Sequence, residues 1–299
     1  SMIKAYNESF EKYNIEDGNF RTGEKVYRGQ REAMEEQGIK IYENYYIEEA
    51  LTNGSTMRFF KNRDEVDKVC IMEGRLPKTT GEIAIDRMYA DNNSLKIGDT
   101  LSSGDKTWKI AGLIALSDYS ALFQNNNDSM FDAVKFGVSV VTPEEFDSLD
   151  QEKLQYNYSW IYDKKPKDEK EEKEVSEDLM KEMGKVVTLE NFVPRYQNQA
   201  IIFTGDDMGG DKAMMVMLLY IVIAIMAFVF GITTGNTITK EAGVIGTLRA
   251  SGYTGNELIR HYMTLPVLVT LAGALAGNVL GYTVFKDVCA GMYYGSYSL

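Results

Sequence analysis

The 299-residue chain carries 44 acidic and 32 basic residues, a formal net charge of −12, with two cysteines and one histidine. That acid excess disfavours a nucleic-acid partner, and a lone histidine, His261, excludes H-E-x-x-H and any two-histidine zinc site. A mean hydropathy of −0.27 reads as soluble but conceals a split, because only four Lys/Arg and three Asp/Glu fall after Ala213. Residues 1–213 therefore hold 28 basic and 41 acidic residues and are long enough to bury a core of their own outside any lipid.

In chain order, residues 1–62 read as mixed structure, with Ile39–Leu51 dense in Ile and Tyr and Thr56–Phe60 a short strand. From Val69, the runs VCIMEGRLP, GEIAIDRMYADNN, SLKIGDTL and TWKIAGLIAL are short β segments punctuated by glycine and proline, with a helical turn or two around Asp86–Asp91. They predict a compact, mostly antiparallel unit over about 66–140. The looser SALFQNNNDSMFDAVKFG leads to a strand at Val138–Thr142, after which Thr142 and Pro143 supply an N-cap and first helical position. The charged run Lys164–Lys185 carries Val175, Leu179, Met183 and Val186 at steps of four and three, the pattern of a surface helix on a sheet. VVTLENFVP follows as a strand. GDDMGGD (Gly205–Asp211) reads as a flexible polar joint, since it lacks the alternating acids and closing Glu of a Ca²⁺ loop.

Met214–Ile232 is 19 residues without a charge, roughly 29 Å as a helix, which matches a bilayer core. Met263–Phe285 is a second uncharged run, of 23 residues, with Pro266 in its first turns. A pair of core helices in a soluble protein is the alternative, but such helices run shorter and keep a polar stripe. Gly273, Gly277 and Gly281 recur at four-residue steps in the second run and predict a groove for close packing of another helix. Between the runs, Val244, Ile245 and Leu248 make an apolar patch and Gly252-Tyr253 breaks the helix. Thr254 and Glu257 have capping-box spacing, and the helix they start carries Leu258 and Ile259. The expected result is a rigid helical elbow.

Lys240, Arg249, Arg260 and His261 beside the spans put that elbow in the cytoplasm and residues 1–213 outside. The chain opens Ser-Met-Ile-Lys without a secretory apolar segment, so a span or signal is expected upstream, Ser1 being a cloning remnant. Cys70 lies in the domain and Cys289 beyond the second span, which leaves the domain no internal disulfide and disfavours a Cys70–Cys289 pair. No Walker motif, G-x-S-x-G or cysteine–histidine pair on one side of the membrane is found, and the adjacent Glu144 and Glu145 would diverge on a helix. No catalytic residue, cofactor or metal is implied.

EAGVIGTLRASGYTGNELIRHYM followed by a glycine-rich span resembles the signature of FtsX-like permeases, the membrane subunits of MacB-type (type VII) ABC transporters. MEGRLPKTTGEIAID, LKIGDTL and Gly112-Leu113-Ile114 likewise resemble the extracytoplasmic domain of that family. The family's first and later spans are absent, so the chain looks like part of a longer permease. The resemblance implies an α+β extracytoplasmic domain of the MacB periplasmic core type over 1–205, a joint and span over 206–232 and a coupling elbow over 233–262. A second span over 263–285 and an extracytoplasmic tail over 286–299 complete it. It implies a non-catalytic, multi-pass subunit of a bacterial plasma membrane, driven by a separate ABC ATPase and paired with a second permease copy or half. Val244, Ile245, Leu248, Arg249, Gly252, Tyr253, Thr254, Glu257 and Leu258 would form its docking surface. Export of, or resistance to, peptides or amphiphiles is the expected role. Control of cell-wall hydrolases by the same motion, a membrane-anchored binding or sensor module without an ATPase, and an extracytoplasmic hydrolase are the alternatives.

Overall fold

The computed structural model describes residues 2–298. The chain divides into two compact units, one of Ser1–Met208 with Tyr294–Leu299 and one of Gly209–Tyr293.

Unit 1 is α+β and contains two sheets. After helix α1 (Met2–Lys12), strand β1 (Gly18–Thr22) lies in a four-stranded antiparallel sheet of order β11-β1-β10-β2, with β2 at Ile39–Glu43, β10 at Tyr156–Tyr162 and β11 at Leu189–Pro194. Alternation along β1 buries Gly18, Phe20 and Thr22. Phe20, Ile41, Tyr158 and Trp160 meet Met34 of α2 (Arg28–Glu35) and Leu179 and Met183 of α5 (Glu169–Met183) in one core. Gly18 lies opposite Trp160, and a Cβ there would stand 2.2 Å from the indole ring, so only glycine lets the ring cross the strand. The charged run forms α5 as its spacing predicts, capped by Asp168, but Ser176 rather than Val175 completes the buried face.

The second sheet has seven strands, in the order β3-β4-β9-β6-β8-β5 with β7 also on β8. They are β3 (Tyr46–Ala50), β4 (Thr56–Lys61), β5 (Val69–Gly74), β6 (Glu82–Asp86), β7 (Thr100–Ser103), β8 (Lys106–Leu116) and β9 (Phe136–Val141). Pairing in this sheet is mostly antiparallel, as expected, with β4–β9 and β6–β8 the parallel pairs. Buried on both faces, β9 reads FGVSVV with every position buried, as a central strand does. Helices α3 (Arg87–Asn92) and α4 (Pro143–Ser148) send Met88, Tyr89 and Phe146 into this core. The Thr142 cap forms, its hydroxyl accepting from the Glu145 amide. Of SLKIGDTL only Thr100 and Leu101 are extended, because Gly98 at φ +97° turns the chain before them.

From Gln199 the chain is one α-helix, α6, of 42 residues to Lys240. GDDMGGD lies inside it, so the expected flexible joint is helix, with Thr204 and Met208 buried. After α7 (Ala242–Ala250), α8 (Gly255–Leu280), a π-helical turn at Gly281–Phe285 and α9 (Lys286–Ser296) make a second helical run of 42 residues. That run begins before the expected second span and continues into the expected tail. Pro266 consequently sits inside α8 rather than in its first turns, where its missing N–H removes a helical hydrogen bond. The most apolar window of each run has no buried residue. Thr233, Thr237, Thr270, Asn278 and Thr283 each donate to the carbonyl four residues back, so these side chains find a partner within their own helix.

Candidate functional site: the elbow and the ends of the apolar helices

The elbow folds as its sequence dictates. Gly252, at φ +101°, takes the left-handed conformation that ends α7, and the Gly252 and Tyr253 amides donate to the Arg249 and Leu248 carbonyls. Thr254 then caps α8: its hydroxyl accepts from the Glu257 amide at 3.4 Å while Glu257 accepts from the Thr254 amide at 2.8 Å. Those bonds hold the Glu257 carboxyl below its usual range. A further bond, from the Tyr262 hydroxyl to Glu241, ties α8 back to the residue between α6 and α7.

Burial divides the nine predicted elbow residues. Leu258 is buried and Ile245 and Leu248 are half-buried. Left outside are Val244 (58 % exposed), Arg249, Gly252, Tyr253 (52 %), Thr254 and Glu257, and beside these six lies the exposed Ile259 (63 %). Ile259 was not among the predicted contacts, although its place one residue after Leu258 on a helix would have put it on another side. Gly273, Gly277 and Gly281 all lie in the second helical run, and a Cβ at any of them would meet open space.

Unit 1 contains a site that the sequence did not disclose. Asp86 caps α3 through the Met88 and Tyr89 amides and accepts a hydrogen bond from Ser298. Burial raises the Asp86 carboxyl to about 6 against the pull of those donors. Arg87 donates through Nη2 to the Tyr294 and Tyr297 carbonyls, both at 2.6 Å, and through Nη1 to Asp91 at 2.7 Å. It thereby caps the C-terminal end of α9. Tyr297 donates to Asp207 at 2.7 Å, and the Ser120 hydroxyl stands 2.9 Å from that of Thr204, so the first turns of α6 are fastened to the same unit. Arg87→Ala should strip those carbonyls of their donor, costing about 1–3 kcal/mol locally. The expected result is faster amide exchange over 294–298 with unchanged exchange in the β-strands.

A polar cleft of about 460 Å³ in unit 1 is lined by Asn19, Arg21, Tyr46, Gln124, Asn127 and Asn191, among others. Arg21 is engaged by Glu190 and Tyr46, and Arg58 by Glu48 and Tyr119, so the cleft offers dipoles more than free charge. Among the described residues no group of three or more His, Cys, Asp or Glu is placed to hold a metal ion, and Cys70 and Cys289 are free thiols. Asp207 and Asp211 of GDDMGGD are engaged by Tyr297 and Tyr293.

Residues 216–298 match the family described as FtsX-like permease C-terminal. The periplasmic region of MacB from Actinobacillus actinomycetemcomitans is similar at 9 % identity and TM-score 0.32, over 56 % of this chain and 83 % of that one. The extracellular domain of the noncanonic ABC-type transporter YknZ from Gram-positive bacteria is similar at 11 % identity and TM-score 0.32, over 58 % of this chain and 98 % of that one. No curated protein matches the chain.

Proposed function

We propose that the chain, whose residues 216–298 match the FtsX-like permease C-terminal family, is a non-catalytic, multi-pass permease subunit of an ABC transporter in a bacterial plasma membrane. A separate ATPase grips the elbow from the cytoplasm, and the two helical runs carry its motion outward to unit 1. The observation that carries this reading is the elbow itself. It is capped, cross-tied by Tyr262 and Glu241, and presents Val244, Tyr253 and Ile259 to the outside. An idle connector needs no such rigidity. At 1.5 Å per residue, α6 alone extends about 63 Å, twice a bilayer core. Fastening of residues 199–208 and 294–298 within unit 1 supports transmission at the far end. Lys240, Arg249 and Arg260 support the cytoplasmic placement of the elbow.

Export of, or resistance to, peptides or amphiphiles is the role we assign, with control of cell-wall hydrolases open to the same machinery. The glycine face at Gly273, Gly277 and Gly281 suits a second permease copy or half. A second reading, the membrane-anchored binding module, draws support from the polar cleft of unit 1. The deciding experiment is co-purification of the tagged chain from native membranes in mild detergent. An ATPase with Walker motifs, recovered in stoichiometric amount and hydrolysing ATP faster with the chain than without it, is expected. Recovery of the chain without such an ATPase would hand the function to the binding module.

A further inference from the structure

Where its two sheets meet, unit 1 buries three carboxylates against one cation. Glu16, just before β1, is 2 % exposed; Asp67, between β4 and β5, is fully buried; Asp118, in the 3₁₀ turn after β8, is 4 % exposed. Arg63 is committed to Asp118 in a bidentate pair, with both bonds at 2.7 Å. Glu16 and Asp67 are left to each other. Neutral donors reach them: the Glu16 amide binds Asp67 at 2.8 Å, and Asn19 and Asn198 bind Glu16 at 2.6 and 3.3 Å.

The Ser159 hydroxyl, on β10, lies between them. Its oxygen is 2.5 Å from Glu16 Oε2, 3.0 Å from Asp67 Oδ2 and 3.0 Å from Asn44 Nδ2. A hydroxyl donates one hydrogen bond and accepts two. Asn44 can only donate to it, so of the two carboxyl contacts Ser159 can donate to one and must accept from the other. A carboxyl group that donates carries a proton. The three contacts are all satisfied when Glu16 and Asp67 together hold one proton, and one contact becomes repulsive when they hold none.

The same place joins the sheets. Asp67 and Lys68 donate their amides to the carbonyls of Asn14 and Tyr13 at 3.0 and 2.9 Å, and Arg63 reaches Asn44 at 3.3 Å. Asp67 is held at φ +49°, in the left-handed region that Asp and Asn tolerate better than other side-chain-bearing residues. Glu16, Asn44 and Asp118 also line the polar cleft.

We propose that unit 1 carries a proton-dependent latch: Glu16 and Asp67, joined through the Ser159 hydroxyl, share one proton, and its release to bulk solvent loosens the joint between the two sheets and the cleft beside it. Burial, then the neighbouring Asp118, raises the Glu16 carboxyl from 4.5 to about 7, and burial with Glu16 beside it holds Asp67 well above the usual range. Arg63 opposes both shifts but is already paired with Asp118. The nearest other charged group on the Glu16 segment, Asp17, is neutralised by Lys165 and Arg195 at 2.7 and 2.9 Å. A carboxyl raised on folding stabilises most below its unfolded value, here 4.5, and that contribution is lost as the pH rises through about 7.

The test uses the full chain in lipid nanodiscs and does not depend on any ATPase. Infrared difference spectra, wild type minus the Glu16→Gln, Asp67→Asn double variant, should show a protonated-acid C=O stretch at pH 6 that is gone at pH 9, the contribution of Asp86 cancelling in the difference. Amide protection over 63–68 and 157–160, with the intrinsic base-catalysed rate at each pH divided out, should fall in the wild type between pH 6 and 9. Glu16→Gln keeps the shape of the protonated group and should hold both segments protected at pH 9, with a melting temperature about 5 °C or more above wild type there and little difference at pH 5. Asp67→Asn, which keeps a left-handed-tolerant side chain, provides the same comparison if Glu16→Gln does not fold. The absence of an acid C=O difference between wild type and double variant at pH 6, or single variants whose amide protection and melting follow pH as the wild type's do, overturns the latch.

Discussion

Val244→Asp and Ile259→Asp should each abolish recovery of the partner ATPase while leaving the chain in the membrane and unit 1 folded. Both side chains are more than half exposed on the elbow, so an aspartate there costs the free chain little. Docking is different, because an apolar contact that closes over an unpaired carboxylate must strip its water at several kcal/mol. With a factor of ten for about every 1.4 kcal/mol, retention should fall by roughly 100-fold or more. Arg249→Ala, at an exposed charge, should be milder and salt-sensitive. Glu174→Ala on the surface of α5 is the control, expected to match wild type. Leu258→Asp should fail for another reason, since that residue is interior to the elbow and its loss should unfold the elbow. Pull-down of the ATPase from parallel membranes reads all five; equal retention by Val244→Asp, Ile259→Asp and Glu174→Ala would remove the elbow from the mechanism.

Arg63→Ala should destabilise unit 1 by about 3–5 kcal/mol, the cost of leaving a buried carboxylate without its cation. Asp118 is 4 % exposed and its cation partner is Arg63, so water cannot readily take the guanidinium's place. The chain's two tryptophans, Trp108 and Trp160, are both buried in unit 1, one in each core, so tryptophan emission excited selectively over tyrosine reports this unit alone. The fluorescence melting temperature should drop by roughly 10 °C. Removing both charges in Arg63→Leu, Asp118→Leu should return much of that loss, because a pair replaced by apolar groups leaves no orphan. A single variant melting within a degree of wild type would show that the pair is not needed.

Recognition from residues alone went furthest where the cause is local. Two uncharged runs, the break at Gly252, the Thr254–Glu257 box and the Thr142-Pro143 helix start depend on a handful of neighbouring residues, and all of them form. The strands flanked by glycine and proline are legible for the same reason, whereas NYSWIY, which becomes central β10, has no glycine or proline directly at either end to mark it. Its aromatic content was the available signal.

The sequence by itself determined that the chain has a polar, acidic domain and two membrane-length helices with a capped elbow between them, because composition, periodicity and cap chemistry act within one or two turns. Only the tertiary structure decided that β4–β9 and β6–β8 run parallel, since a crossover is set by what packs against the sheet. It also kept GDDMGGD helical, with Thr204 and Met208 buried on that helix, where glycine propensity alone favoured a joint. Arg87 capping residues 207 and 210 positions away, and Ser159 placed between Glu16 and Asp67, have no sequence signal at all. Their meaning comes from burial, which turns ordinary surface residue types into paired, proton-holding groups once the two sheets close over them.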